Sequence, residues 1–203
     1  MVTVIKDVNL FDEIKKYDLI IVTTNTYGSM RNGFEHDVEL NYPYVKDANL
    51  LTKYGDVSKM GTIIECTQEN EPTFILSFIC KGYPFRKKGE TPDFLSYESL
   101  EKCLKLINVK YKGKTIAAPM IGCSRFDGNG DKERVMEIIN NTLTDVNIII
   151  YDYFQETREE KKMRIYKEEM TVKAKDYQAY YKMVKKRKAE EEERFKKNGH
   201  ARY

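Results

Sequence analysis

Residues 115–139, TIAAPMIGCSRFDGNGDKERVMEII, place Cys123, Ser124, Asp127, Asp131 and three glycines (Gly122, Gly128, Gly130) between an apolar run and a helical pattern. Two chemistries suit such a stretch. Asp127, Asn129 and Asp131 stand at the first, third and fifth positions of a calcium loop. That loop also needs glycine at its sixth position and a bidentate glutamate at its twelfth, where this chain has Lys132 and Ile138. A phosphate fits better. A glycine-containing turn from a strand's carboxyl end into a helix presents backbone N–H groups and the positive end of a helix dipole, and its glycines let a ligand approach the backbone. No Lys-Ser/Thr pair follows, so this is not a P-loop, and no G-x-G-x-x-G follows an early strand. The competing reading is an ordinary turn. Cys123 has no identifiable base and reads as loop packing, while His36 and His200 have no partner visible in sequence.

Six apolar segments can carry such loops: residues 2–5, 17–25, 62–66, 74–80, 115–122 and 146–153. Most are rich in β-branched residues and too short for typical helices, so they read as strands. Residues 96–108 read as a helix capped by Ser96, with Glu98 in its first turn and Leu100, Cys103, Leu104, Leu106 and Ile107 on helical spacing. Residues 131–143 read as another, capped by Asp131 and carrying Val135, Met136, Ile138 and Ile139. Strands alternating with helices predict α/β layers with the sheet sandwiched. Ligands of such sheets gather at the carboxyl ends of strands. Two polar loops leave such ends, TTNTYGSMRNGF after the second strand and GCSRFDGNGD after the fifth.

The four cysteines are widely spaced with no C-x-x-C pair, which predicts free thiols, a reducing cytoplasmic-type compartment and no zinc site. No apolar run is long enough to cross a bilayer, and the amino terminus lacks the pattern of a signal peptide. No membrane role is expected. Lys, Tyr and Asn usage fits an AT-rich genome, such as that of a phage or its bacterial host.

The net charge of +3 hides an asymmetry: residues 156–203 hold 16 Lys/Arg against 10 Asp/Glu, so the remaining body is acidic. The body is therefore no obvious nucleic-acid binder, whereas the tail has the charge to touch a polyanion. Met163, Tyr166, Met170, Tyr177, Tyr180 and Val184 fall on a 3–4 spacing broken by Lys173. That is an amphipathic seam, open to three readings: a solvated helix with one packed stripe, self-association or docking of a protein partner, and nucleic-acid contact.

The segment IAAPMIGCSRFDGNGDKERVMEIINNTLTDVNIIIYDY resembles the closing part of macrodomains, the ADP-ribose-binding α/β/α modules, and GETPDFLSYESLEKCLKLI resembles one of their helices. The likeness runs from about residue 3 to 154 and is nearest to the branch of terminal ADP-ribose protein glycohydrolases and ADP-ribose-1''-phosphate phosphatases. It implies a three-layer α/β/α body over residues 1–154 with a mixed sheet of about six strands, followed by a long charged helix over 155–203. It also implies binding of ADP-ribose or an ADP-ribosylated macromolecule, without a cofactor or metal.

By the same resemblance, Lys81 matches a lysine that attacks the anomeric carbon of the distal ribose, and Asp127 matches its assisting aspartate, one residue later than the family spacing. An amine attacks only when deprotonated, and free lysine titrates near about 10.4, so a cation or dry walls must lower that value while a carboxylate relays protons. Without the resemblance, Lys81 is a solvated lysine and Asp127 a turn residue. Asp131 matches the acid of the phosphatase-like members and is also a helix cap. Asn25 and Gly33 match residues of the distal-ribose loop, or are turn residues, and Arg31 stands where that loop expects glycine. Asn9, with Asp7 two residues earlier, matches the acceptor for the adenine amino group. Tyr153 matches the adenine-packing residue, with Phe154 beside it, or is a plain aromatic. Gly122, Cys123, Ser124, Gly128 and Gly130 match the diphosphate loop. A non-catalytic reader of ADP-ribose and an assembly protein docking through its tail helix are the alternatives to a hydrolase.

Overall fold

A computed structural model of the chain describes residues 1–30, 33–81, 95–124 and 128–153, and beyond them residues 166, 170–171, 175–179, 181–183, 185–186, 189–190 and 193. Six strands form one sheet: β1 (Val2–Lys6), β2 (Leu19–Asn25), β3 (Ile63–Cys66), β4 (Thr73–Cys80), β5 (Thr115–Pro119) and β6 (Asn147–Asp152). Their order is β1-β6-β5-β2-β4-β3. β3 pairs antiparallel with β4, and the other pairings are parallel. The buried runs LIIVTTN and TFILSFIC suit β2 and β4 to interior positions in the sheet, as continuous apolar strands covered on both faces should be.

Helices cover each face. On one, α1 (Leu10–Glu13), α2 (Gly33–Asn41) and α3 (Pro43–Leu50) bring Leu10, Val38 and Val45 against Ile20, Val22, Phe74 and Leu76. On the other, α4 (Tyr97–Lys110) and α5 (Lys132–Thr142) bring Leu100, Leu104, Ile107, Val135 and Ile139 against Ile21, Ile75, Ile116 and Ile150. The sheet is therefore the middle of three layers. Both anticipated caps are present: the Ser96 hydroxyl accepts from Ser99 N–H, and Asp131 Oδ1 accepts from Arg134 N–H.

Two points differ from the sequence reading. The fifth strand ends at Pro119, short of Gly122, because residues 121–122 turn. α1, α2 and α3 are additional. Phe34, Val38, Tyr42, Val45 and Asn49 do hold a 3–4 spacing, but acids at Glu35, Asp37 and Glu39 dilute it. Pro43 then restarts the helix, splitting one stripe between two short elements.

The chain divides into two units, Met1–Phe154 and Gln155–Tyr203. In the second, the described residues are helical and exposed, Tyr166, Met170 and Tyr177 of the anticipated seam among them. Met163, Tyr180 and Val184 lie outside the described residues. No helix among the described residues is long and apolar enough to cross a membrane.

Replacing buried Leu104 with alanine leaves a cavity between α4 and the sheet and is expected to cost about 2–5 kcal/mol. Replacing Leu106, half-exposed on the same helix, should change stability by less than about 0.5 kcal/mol. Urea unfolding of the two variants tests this assignment of faces.

Candidate functional site

Parallel strands β6, β5, β2 and β4 lie side by side, so their carboxyl ends reach one edge of the sheet. At that edge the chain leaves β2 toward the face of α2 and α3, but leaves β5 toward the face of α5. Adjacent strands whose connections part in this way open a crevice at their carboxyl ends. The β2–β5 ladder is short, registering at the single pair Ile20↔Ala117. Asn25, Lys81, the glycine loop and Tyr153 all follow strands of this group.

Asn25 shapes the loop that follows it. Its Oδ1 accepts from the N–H groups of Tyr27 (3.1 Å) and Ser29 (3.3 Å), and its Nδ2 donates to Ser29 O at 2.8 Å. Thr26 ties this loop to β4: its hydroxyl donates to Lys81 O at 2.5 Å, and its N–H to Cys80 O at 3.2 Å. Asn25 therefore ends β2 beside Lys81, which follows the neighbouring β4, and the Lys81 side chain is exposed. Gly33 begins α2 at φ +57°, a left-handed conformation that glycine adopts freely. Arg31 and Asp127 lie outside the described residues.

The glycine loop closes largely on itself. Gly130 N–H donates to Gly122 O (2.9 Å), Gly128 and Asn129 N–H both donate to Ser124 O (3.0 and 2.9 Å), and Asp131 N–H donates to the Tyr97 hydroxyl (2.8 Å). The amides of residues 128–131 are thus engaged inside the fold. A phosphate would meet the earlier part of the loop, around Gly122, Cys123 and Ser124. The glycines answer to packing. A Cβ at Gly128 would stand 2.3 Å from Gly122 O, and one at Gly130 would stand 2.3 Å from Leu95 Cδ2. Leu95 fills the space the glycines vacate, donating its N–H to Gly128 O while bridging to Cys80 at the end of β4. It couples the glycine loop to the strand that ends just before Lys81. Nothing in its sequence neighbourhood marks it, because both partners are remote in the chain.

At the same edge of the sheet Tyr153 is half-exposed just past β6. Asn9 caps α1, its Oδ1 accepting from Phe11 N–H at 3.1 Å. That oxygen takes part in the cap, and Asp7, two residues earlier, donates its N–H to Asp152 O at 3.2 Å. Lys132 pairs with Asp152. Asp131 is taken up at Oδ1 by its capping role.

Besides Leu95, two residues of this region escaped the sequence reading. Glu35 is buried and accepts from the Thr23 hydroxyl at 2.9 Å. Lys59 donates to Thr26 O (2.7 Å) and the Thr52 hydroxyl (2.8 Å), with its ammonium 5.1 Å from the Phe78 ring centroid. Burial holds its pKa below the ordinary lysine value, with Asp56 opposing the shift. Their partners come from other elements, so no local pattern could have flagged them. No group of three or more His, Cys, Asp or Glu able to hold a metal occurs among the described residues.

Gly128→Ala is expected to lower stability by about 1–3 kcal/mol, since its Cβ meets immovable backbone. Gly113→Ala, with nothing within 4 Å but φ +76°, should cost about 1 kcal/mol by calorimetry. Burial pushes the thiols of Cys66 and Cys103 up to about 11 and about 12. At pH 8 iodoacetamide should therefore label half-buried Cys123 first, with Cys66 and Cys103 following only on unfolding; mass spectrometry reads the order.

No family model and no curated protein matches the sequence. Solved structures are similar in fold. The macrodomain of Thermus aquaticus DarG aligns over 75% of this chain and 98% of its own, at 16% identity and a TM-score of 0.57. A macrodomain protein from Streptomyces coelicolor covers 76% of this chain and is itself covered completely, at 15% identity and 0.54. Thermosipho africanus DarTG in complex with ADP-ribose aligns over 77% of this chain and 43% of its own, at 16% and 0.55. The strand-and-helix body of this chain has the macrodomain fold.

Proposed function

We propose that the crevice binds ADP-ribose and that the protein removes ADP-ribose from a modified macromolecule. The observation that carries this reading is the convergence of Asn25, Lys81, the 122–131 loop and Tyr153 at the carboxyl ends of four neighbouring parallel strands. Such an edge suits a ligand with two ends and an anionic middle. Tyr153 and Asp7 would take the adenine, one by packing and the other by accepting from the exocyclic amine. The glycine loop around Gly122, Cys123 and Ser124 would take the diphosphate. Asn25, the loop it folds and the α2 start at Gly33 would border the distal ribose.

For hydrolysis, the Lys81 amine attacks the anomeric carbon, the bond from that carbon to the macromolecule breaks, and Asp127 passes a proton to the leaving group. Water then displaces the lysine and releases ADP-ribose. A second reading, a binder without catalysis, has its own support. Lys81 is exposed, and Asp127 stands one residue later than the spacing of the glycohydrolase branch.

Isothermal titration is expected to give binding of ADP-ribose in preference to ATP and NAD. Asn25→Ala should weaken it by roughly tenfold, about 1.4 kcal/mol. Release of ADP-ribose from a modified substrate by the wild type, but by neither Lys81→Ala nor Asp127→Ala, would establish hydrolysis. Unimpaired binding with no release from any adduct would favour the reader. Indifference to ADP-ribose at millimolar concentration would refute both.

A further inference from the structure

β3 is the last strand at its end of the sheet, and α4 covers it together with β4. The ladder between β3 and β4 sets which way each backbone group points. Phe78 N–H donates to Thr62 O at 3.1 Å, and inward and outward residues alternate along an antiparallel strand. Ile64 and Cys66 therefore bond to β4, while the N–H and C=O groups of Ile63 and Glu65 point away from the sheet. None of the described residues takes up these outward groups. An open edge of this kind is a template for another strand. Beside it runs a groove of about 650 Å³ whose walls include Gly61, Ile63, Leu106 and Val109. Leu106 is 46% and Val109 79% exposed. Unpaired backbone and an apolar strip thus share one flank of the sheet.

We propose that this flank joins two copies of the chain about a two-fold axis perpendicular to the sheet, with β3 of one copy antiparallel to β3 of the other. The inference stands apart from the ADP-ribose reading of the crevice. Charge selects a second copy as the occupant. Along α4 the exposed acids Glu98 and Glu101 come first, and the exposed bases Lys102, Lys105 and Lys110 follow. A face ordered from acid to base is complementary to itself when turned end for end. The proposed axis reverses every direction in the plane of the sheet, so α4 lies end for end against its copy. The acidic half of each helix then meets the basic half of the other, and Leu106 and Val109 of each copy cover the groove of its partner. Within one helix Lys102 faces Glu98 at 2.6 Å and Lys105 faces Glu101 at 2.5 Å. Exposed pairs of this kind are weakly held and can be shared across the axis. With Ile64 on the axis, Ile63 of one copy stands opposite Glu65 of the other, and these two equivalent pairs exchange backbone hydrogen bonds in both directions. One operation therefore satisfies backbone, apolar surface and charge together. It also sets the two crevices at opposite edges of the joined sheet.

Sedimentation equilibrium of the full chain over a concentration series tests the pairing. The wild type is expected to approach twice the 23.9 kDa of one chain. Val109→Arg, at a position too exposed to matter to the fold of one copy, should weaken association by at least about tenfold. Loss of Leu106 would likewise weaken the pair while leaving the fold of a dissociated chain nearly unchanged. Two further variants read the order of charge. Glu98→Lys/Glu101→Lys makes this face of α4 basic throughout, and Lys102→Glu/Lys105→Glu makes it acidic up to Lys110. Each alone should stay monomeric where the wild type is a dimer, with an unchanged circular dichroism spectrum, and an equimolar mixture of the two should dimerise. The Ile63 and Glu65 amides should exchange with solvent slowly in the wild-type dimer and quickly in Val109→Arg. A wild type that is monomeric throughout, or a dimer indifferent to all of these substitutions, would overturn the proposal. So would a mixture of the charge variants that stays monomeric, or rapid exchange of both amides in the wild-type dimer.

Discussion

The structure depends on one constraint of topology. β2 and β5 are neighbours and parallel, yet the chain leaves them toward opposite faces of the sheet. Backbone that departs on both sides cannot fill the space between, so a cleft at the carboxyl edge follows from the connections themselves. Every candidate site residue gains its meaning from that edge. Asn25 and Lys81 come together because β2 and β4 are in register almost to their ends, where a shift between Thr24 and Asn25 brings Asn25 opposite Cys80.

Around the cleft, side chains lock loops that would otherwise be free to wander. Thr26 is the junction on one side, receiving bonds from Gly55 and Lys59 and sending one to Lys81. Leu95 is the junction on the other, wedged against Gly122 and Gly130 and bridged to Cys80. Both connect to the end of β4. A site assembled from loops holds its geometry only when such bracing residues are in place. Gly122 and Gly130 illustrate a division of labour: absent side chains make room for Leu95, which bridges to the end of the strand that precedes Lys81.

Much of this was legible in the sequence. Ser96 and Asp131 announced their helices because a cap is a local event: a side-chain oxygen meets an amide three residues on. The strands were legible because central parallel strands must be apolar on both faces. α2 and α3 were not, since Pro43 divides their common stripe and acids interrupt it. Within the site, Asn25, Lys81 and the glycine loop could be picked out by their position after strands. Lys59, Glu35 and Leu95 could not, because each acquires its role from partners that only the fold brings near. Asn9 shows the opposite difficulty. Its residue type suits both an adenine acceptor and a helix cap, and its amide oxygen accepts one bond in the cap, which sequence alone does not separate from the other role.

The most direct test of the account is a crystal structure of the full chain with ADP-ribose. The account expects the pyrophosphate against the loop that begins at Gly122, the distal ribose between Asn25 and Lys81, and the adenine beside Tyr153. Ligand density elsewhere on the molecule, or the nucleotide lying in the crevice with its distal ribose away from Lys81, would contradict it.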